Sequence, residues 1–328
     1  MGTQPTHERW NILLACLICL LPAVTVSTLG IVLPEIRGGL RLSPVEAGAL
    51  FSVMFVLATI TSPQGGRLAD RIGRKPVLIV GTGTLALGIG LGGLSRNYPL
   101  TLALFGLAGV GYGFTSTTVY ALLSDLLPRK RGLATSLVTI AYGVGAFAGS
   151  LVAGFLTAVA GWRASLLTIG AFGAALTGLV CAGVKPAAGH RSVQKMLPLR
   201  KAVNRNLVLL AAAQFSGGMM AWSMNSWGPT VLRSAKGLSL GETGLVMGLW
   251  GGAQMVGAIL FGTLSDSLGR KTLILSTAYP AVLAAAGVYL FLNGPAALAL
   301  GFALLGLLRS TLPTLKRAVE TLLSKRKR

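Results

Sequence analysis

The chain has 328 residues, of which 53% are hydrophobic and only 11% are charged. Soluble globular proteins carry about 25% charged residues, so this composition cannot cover a large water-facing surface. Apolar runs recur along the whole length, and runs of about 20 residues can cross a hydrocarbon layer as helices. The composition therefore disfavours a soluble enzyme and a disordered chain. Unbroken apolar blocks also disfavour a membrane barrel built from short alternating strands.

The apolar runs predict an all-α polytopic membrane protein with about ten transmembrane helices. We expect an N-terminal six-helix bundle over 1–184, a basic cytoplasmic linker over 185–205 and an incomplete C-terminal bundle of four helices over 206–328. The predicted spans, in chain order, are 11–33, 46–65, 76–95, 99–124, 133–160, 164–184, 206–232, 242–264, 272–292 and 295–315.

The net charge of +21 is distributed unevenly between the predicted loops. Of the 29 Lys and Arg residues, 22 fall in the N-terminus and every second connection after it. This asymmetry is the positive-inside pattern, which predicts a multi-pass protein of the cell membrane with a cytoplasmic N-terminus. The sequence shows no basic helix of the kind that enters a DNA groove, so nucleic acid is not an expected partner. The other connections hold only Arg37, Arg41, Arg96, Arg163, Arg233 and Lys236.

Metal, cofactor and enzymatic chemistry find little support in the sequence. The three cysteines, Cys16, Cys19 and Cys181, all lie inside apolar runs, where neither a disulfide framework nor a zinc site is expected. The glycine-rich run at 88–93 lies inside a predicted span, so it is interpreted as packing glycines and not as a phosphate loop. We therefore expect no cofactor and no enzyme.

An internal repeat divides the chain. The stretch GRLADRIGRK at 66–75 returns as GTLSDSLGRK at 262–271, and LLPRKR at 126–131 aligns with LLSKRK at 322–327 at the same offset of 196 residues. A constant offset over several spans predicts two parallel repeats related by an axis along the membrane normal. Arg328 then corresponds to Gly132, so the second repeat ends after its fourth helix. This suggests a truncated copy of a twelve-helix protein.

The two loops of form G-x-L-[AS]-D-x-x-G-R-K resemble the cytoplasmic motif of the major facilitator superfamily, and GWR at 161–163, between the fifth and sixth spans, is similar to another element common in that family. The resemblance implies a monomeric secondary transporter that moves a small molecule by alternating access between two pseudo-symmetric helical bundles. It also implies that the motif acid latches the cytoplasmic side, Asp70 against an eleventh helix. The implied gating residues are Gly66, Asp70, Arg71, Gly73, Arg74, Lys75, Gly262, Asp266, Gly269, Arg270 and Lys271.

The residues of these loops suggest the same role. Gly66 and Gly262 would allow close helix approach, and Gly73 and Gly269 would permit a positive φ in a tight turn. The Arg-Lys pairs would anchor at the anionic cytoplasmic surface, and each acid would face a helix N-terminus. Alternatively, the loops only set topology. The run GAFAGSLVAG at 145–154 is interpreted as small residues for helix packing.

Arg309 is the sharpest candidate for a substrate-binding residue. It aligns with Gly113 in the middle of the fourth span, so it is expected near mid-membrane, where an arginine costs about 2.5–3.5 kcal/mol to insert. A cation there suits an anionic substrate such as a carboxylate or phosphate. Two alternatives remain open, that its side chain snorkels to the interface or that it pairs with an acid.

Other polar residues in the spans are weaker candidates for the lining of a substrate cavity. Amides and aromatic rings suit a small polar solute, but each hydroxyl could instead bond to its own helix, and each amide could join two helices. The candidates are Gln214, Trp222 and Asn225 in the seventh span, Tyr112, Thr115 and Thr118 in the fourth, and Thr25 and Thr28 in the first.

The sequence therefore predicts a secondary transporter of a small organic solute, with an anion expected if Arg309 faces the cavity. Coupling to protons or another ion is expected, but all eight acidic residues lie in loops or at span ends. A uniporter or a substrate exchanger fits that distribution equally well. Two further alternatives are a non-transporting membrane fragment or scaffold and an efflux-type exporter.

Overall fold

The computed structural model describes residues 5–127, 131–183, 205–268 and 290–309, with positions 283, 287 and 288 between the last two ranges. The backbone alone is described for 5–9, 131–133, 135, 205–214, 216–217, 220–221, 258, 261–268 and Arg309. These residues form helices joined by short turns. The helices are α1 (Pro5–Gly39), α2 (Pro44–Ile72), α3 (Arg74–Gly92), α4 (Tyr98–Leu126), α5 (Arg131–Gly183), α6 (Arg205–Ser234), α7 (Leu240–Leu268) and α8 (Pro295–Arg309).

The helices coincide with the predicted spans but differ in two details. Most are longer than the apolar runs, because hydropathy marks only the hydrocarbon layer while helical hydrogen bonding continues into the interface. The fifth and sixth predicted spans are two helical arms, labelled together as α5, which meet at a single non-helical residue, Gly161 (φ 81°, ψ 165°), and not at a three-residue loop over 161–163. The predicted span 272–292 and the end of the span 295–315 lie mostly outside the described residues.

Two helices begin with the same capping device. At the start of α2, the backbone N–H of Ser43 donates to Glu46 Oε2 (2.8 Å), and the backbone N–H of Glu46 donates to the Ser43 hydroxyl (3.2 Å). Ser239 and Glu242 repeat this reciprocal capping box at the start of α7, with distances of 2.8 and 3.3 Å. The two boxes lie 196 residues apart, at the predicted repeat offset.

Successive helices run antiparallel, which gives the bundle two ends. The end that carries the turn at Gly73, between α2 and α3, is called here the motif end. The opposite end carries the turns α1–α2, α3–α4 and α6–α7 and the break at Gly161. Within 5–183 the main packing is α1 against α5, and α3 and α2 against α4.

Glycines let several of these helices approach one another closely. A Cβ atom on Gly149 of α5 would stand 2.9 Å from Val24 Cα of α1, and one on Gly145 would stand 2.9 Å from the Leu20 carbonyl oxygen. Further along α5, a Cβ on Gly154 would lie 3.0 Å from Gly244 Cα of α7. The structure therefore agrees with the interpretation of the run at 145–154 as a packing surface.

Helices from the two predicted halves pack together mainly in two places. One is the α5–α7 contact, and the other is α1 against α6, where Gly30 faces the backbone carbonyl of Asn225 and the Pro229 ring. The division into bundles over 1–184 and 206–328 stays a prediction, as does the linker, which lies outside the described residues apart from Arg205.

The outer surface of the bundle is apolar. Large side chains such as Phe155, Phe291 and Leu300 are 70%, 80% and 71% exposed. In water such a surface would drive aggregation, whereas in lipid it is the expected outer face. Five described helical segments are long and apolar enough to cross a membrane, and the apolar Pro295–Leu308 is shorter. The chain is an integral membrane protein.

Candidate functional site

Three aromatic side chains from three different helices meet near the middle of the bundle. The Phe55 ring of α2 lies 4.5 Å from the Trp222 ring of α6 and 5.9 Å from the Tyr112 ring of α4, centroid to centroid. Each residue lies near the midpoint of its helix. The Phe55–Trp222 contact joins the two predicted halves, and we call these three residues the central aromatic cluster.

The central aromatic cluster remains accessible although its rings touch. Trp222 is 40% exposed, and Phe55 and Tyr112 are partly buried. The cluster continues to Phe51, whose ring lies 6.1 Å from Phe55. A partly open aromatic surface at mid-bundle can stack against the flat face of an organic solute.

Sequence reasoning selected Tyr112 and Trp222 for this region and the structure brings them together, but it missed Phe55. Phe55 lies in an apolar run with no polar atom to mark it. The signal that could have found it is its position at mid-span, at the same depth as Tyr112 and Trp222.

The structure places both candidate threonines of the first span in a packed interface. Thr25 is fully buried and its hydroxyl donates to the Leu21 carbonyl of its own helix (2.8 Å). Thr28 is 2% exposed and donates to the Gly149 carbonyl of α5 (3.3 Å). Both hydroxyls are used within the protein, so neither lines an open cavity in this conformation.

Thr115 and Thr118 of α4 are also fully buried. Their hydroxyl oxygens have no hydrogen-bond partner among the described residues. Thr115 faces α3, since its Oγ1 lies 2.7 Å from where a Cβ on Gly81 would stand. It therefore lies in the packed contact between α3 and α4.

The remaining cavity candidates are described in part. Asn225 is half-buried on α6, one turn beyond Trp222. Gln214 belongs to α6, and Arg309 is the last residue of α8. For both residues the structure describes the backbone but not the side chain. Their roles as substrate ligands stay predictions.

At the motif end, Arg74 bridges two helices. Its Nη1 donates to Asp70 Oδ1 at the end of α2 (2.7 Å), and its Nε donates to Asp125 Oδ2 near the end of α4 (3.1 Å). Asp70 thus pairs with the first residue of α3, four positions later in the chain. The implied contact of Asp70 with an eleventh helix stays a prediction. Both carboxylates are well exposed, at 64% and 40%, so the pairs contribute at most about 1 kcal/mol each.

The structure describes the surroundings of Gly65, Gly66 and Gly73 at this loop. Gly73 adopts a φ of +98°, the positive φ expected of the turn. Gly66 was expected to permit close helix approach, but a Cβ there would meet no atom of the described structure within 4 Å. Gly65 fills that role, with its Cβ position 2.9 Å from Phe114. Neighbouring helical residues point about 100° apart, so the packing face includes one and not the other.

The remaining predicted motif residues lie at the motif end or outside the described residues. Arg71 is exposed and Lys75 is half-buried, both at the motif end. Gly262 and Asp266 lie on α7, where the backbone alone is described. Gly269, Arg270 and Lys271 lie outside the described residues.

The GWR element has a structural role at the opposite end. Arg163 Nη1 donates to the carbonyl oxygens of Gly93 (2.9 Å) and Ser95 (2.7 Å), in the turn after α3. Its guanidinium carbon lies 4.3 Å from the centre of the Trp162 ring. The break at Gly161 places this arginine so that it ties α5 to the α3–α4 turn.

Comparison with known proteins places these features in a family. The sequence model of the Major Facilitator Superfamily matches residues 15–327. The chain is 26% identical over 297 residues to the gallate transporter of Pseudomonas putida, covering 79% of this chain and 66% of that protein. It is 27% identical over 288 residues to the cis,cis-muconate transport protein of Acinetobacter baylyi, covering 80% of this chain and 68% of that protein.

The fold is also that of a solved structure. A bacterial homologue of the human lysosomal transporter Spinster, in an inward-facing and occupied conformation, superposes with a TM-score of 0.79 over 95% of this chain and 73% of that one, at 16% identity. The chain thus spans about two thirds to three quarters of the length of these proteins. With the family model matched along nearly its whole length, the chain belongs to the Major Facilitator Superfamily.

Proposed function

We propose that this protein is a secondary transporter of small organic carboxylates that works by alternating access. Gallate and cis,cis-muconate, for which the two relatives are named, are both organic carboxylates. The observation that carries the proposal is the Phe55–Trp222 contact, because it places an accessible aromatic surface at mid-bundle where the two predicted halves meet. A flat organic solute can stack there, and the surface changes as the halves rock.

Arg309 supplies the charge that a carboxylate requires. As the last residue of the 15-residue helix α8, it lies about 21 Å along the axis from Pro295. The hydrocarbon layer is about 30 Å thick, so this position is within the membrane. Aromatic stacking would hold the body of the solute and the guanidinium would hold its carboxylate.

The uptake of labelled gallate into liposomes containing the purified protein tests this proposal. We expect saturable uptake that Arg309→Ala reduces at least tenfold, because the substrate loses a charge-assisted hydrogen bond of about 1.5–3 kcal/mol. Arg309→Lys keeps the charge and should retain part of the uptake. Phe55→Ala should raise the KM and leave the overall fold intact.

The same liposomes separate the alternative functions. Faster uptake with an inward proton gradient supports symport, and uptake without any gradient supports a uniporter or an exchanger. Saturable efflux without uptake would favour an exporter. Absence of gallate flux in either direction would contradict the proposal and leave the non-transporting alternative.

We further propose that the motif end faces the cytoplasm, because most of the basic residues connect helices at that end. In a variant whose three native cysteines are replaced by serine, Arg96→Cys at the opposite end should react with a membrane-impermeant maleimide in intact cells. Arg71→Cys at the motif end should react only after permeabilisation. Both positions are exposed, so the comparison reports sidedness. The reverse pattern would contradict this orientation.

A further inference from the structure

A cavity of about 620 Å³ opens at the end of the bundle opposite the motif loop. Its walls come from the end of α1, the α1–α2 turn and the end of α6, so it lies between the two predicted halves. It is separate from the central aromatic cluster, none of whose residues lines it. Its polar and aromatic lining includes Glu35, Arg37, Arg41, Trp227, Thr230 and Arg233.

The cavity is basic on a side of the protein that has few basic residues. Three arginines line it against one carboxylate, and that carboxylate, of Glu35, already pairs with Arg233 (2.5 Å). The sequence places only six basic residues in connections on this side. Half of them therefore surround one cavity, although positive-inside orientation disfavours positive charge in these loops.

Helix stabilisation explains two of the three arginines. Arg37 lies in the last turn of α1 and Arg233 in the last turn of α6, where a cation stabilises the helix C-terminus. These two residues are also 196 residues apart, so they occupy equivalent positions in the repeat. The cavity accordingly lies near the axis that relates the two repeats.

Arg41 has no such structural explanation. It is the one non-glycine residue of the described chain with a positive φ, +54°. The residue 196 positions later is Gly237, which has a φ of +69°. One repeat thus fills the left-handed position with glycine, as sterics favour, while the other keeps an arginine at a conformational cost. The exposed Arg41 side chain makes no hydrogen bond or ion pair to any residue that the structure describes.

The rest of the lining suits an organic anion. The Thr230 hydroxyl oxygen is buried and has no hydrogen-bond partner among the described residues. Trp227 offers an aromatic face beside it, and Arg37 uses its Nε on the Leu42 carbonyl (3.3 Å), which leaves its two Nη groups for a ligand. The volume lies in the range of small-molecule sites, about 300–1,000 Å³.

We propose that this cavity is a second anion site, which captures small organic carboxylates before they reach the centre of the bundle. This inference rests on the proposed function for its ligand class. Arg41 and Arg37 hold the carboxylate, and Glu35 competes with it for Arg233. Because the Glu35–Arg233 pair links α1 to α6, binding of a carboxylate also loosens a tie between the two predicted halves at this end.

Calorimetric titration of the purified chain with benzoate, at low ionic strength, tests the site. Benzamide, of the same shape but neutral, is the matched ligand and should not bind. Arg41→Gly, which installs the residue of the other repeat, should raise the Kd for benzoate at least tenfold while the melting temperature stays equal or rises. Glu35→Gln should lower the Kd severalfold, a gain that mere damage to the fold cannot produce.

Arg96→Ala removes an exposed cation on the same side but outside the cavity, and it should bind benzoate as the wild type does. No benzoate binding to the wild type, equal binding of benzamide, or the same Kd for Arg41→Gly and Arg96→Ala would overturn the inference. Liposome uptake separates it from the proposed function. If benzoate binding depends on Arg41 but the liposomes show no gallate flux, only the transport proposal is contradicted. If gallate flux is present but Arg41→Gly leaves the Kd for benzoate unchanged, only the second anion site is contradicted.

Discussion

Replacing Gly88 by alanine is expected to destabilise the protein by about 1–3 kcal/mol, the usual cost of overpacking a well-packed helix contact. A Cβ at this position of α3 would stand 2.5 Å from the Ala108 backbone nitrogen and 2.6 Å from the Leu104 carbonyl oxygen of α4. Real Cβ atoms do not approach other atoms so closely, and a helix backbone cannot rotate aside as a flexible side chain can. The two helices would have to separate.

Gly83→Ala is the matched control for this prediction. Gly83 lies on the same helix, and a Cβ there would meet only the Thr177 methyl group at 3.7 Å, an ordinary contact. Both substitutions gain the same helix propensity, about 1 kcal/mol in favour of alanine, so the difference between them isolates the α3–α4 crossing. Gly83→Ala should keep or raise the melting temperature.

The measurement is the apparent melting temperature in detergent at one fixed scan rate, since unfolding of a membrane protein is expected to be irreversible. If Gly88→Ala and Gly83→Ala melt together, the close approach of α3 and α4 is not present in the protein. The same two helices make a second close contact, in which Gly111 of α4 faces the backbone nitrogen of Leu85 of α3. Gly111→Ala should therefore reproduce the loss seen for Gly88→Ala.

The placement of the helices is the part of the fold that the sequence determines most directly. Each crossing of the membrane requires a long apolar run, so the described helices could be located from hydropathy alone. The break in α5 is different in kind. Gly161 supplies a φ of +81° at a single residue, and nothing in the hydropathy pattern distinguishes one such residue from a three-residue loop.

Which face of a helix contacts which neighbour was less accessible to sequence reasoning. In a soluble helix the apolar stripe marks the buried face, but here lipid-facing and buried positions are both apolar. The choice between Gly65 and Gly66 and the burial of Thr115 against α3 depend on helix rotation, which hydropathy does not report. Phe55 escaped selection because no polar residue beside it drew attention to its helix face, whereas Tyr112 was chosen with the hydroxyl residues of its span and Trp222 with the amides of the seventh span.

The repeat offset predicts local detail more sharply than hydropathy does. It aligns the capping boxes at Ser43 and Ser239, which depend on hydrogen bonds and not on burial. It also exposes Arg41 as a departure, because Gly237 shows what the turn prefers at that position. Equivalent positions that keep the same backbone conformation but different chemistry are therefore the best places to look for function in this chain.

Arg163→Ala is expected to destabilise the protein by about 2–4 kcal/mol, because it removes two charge-assisted hydrogen bonds of about 1.5–3 kcal/mol each, reduced here by partial exposure. The guanidinium holds the Gly93 and Ser95 carbonyls with distances of 2.9 and 2.7 Å. Both carbonyls follow the C-terminus of α3, where a cation is favoured. Arg163→Lys should recover only part of the loss, because an ammonium group cannot stack on the Trp162 ring as a planar guanidinium does.

Arg96→Ala removes a cation from the same turn without removing either bond, so its melting temperature should match that of the wild type. Hydrogen exchange provides the local measurement. Loss of the two Arg163 hydrogen bonds should speed exchange of the amides at 93–97 more than exchange of the amides in the middle of α3. Faster exchange confined to the turn, together with a lowered melting temperature, would show that Arg163 stabilises the protein by joining α5 to the α3–α4 turn. Equal stability of Arg163→Ala and Arg96→Ala would instead show that the break at Gly161 holds its geometry without the arginine.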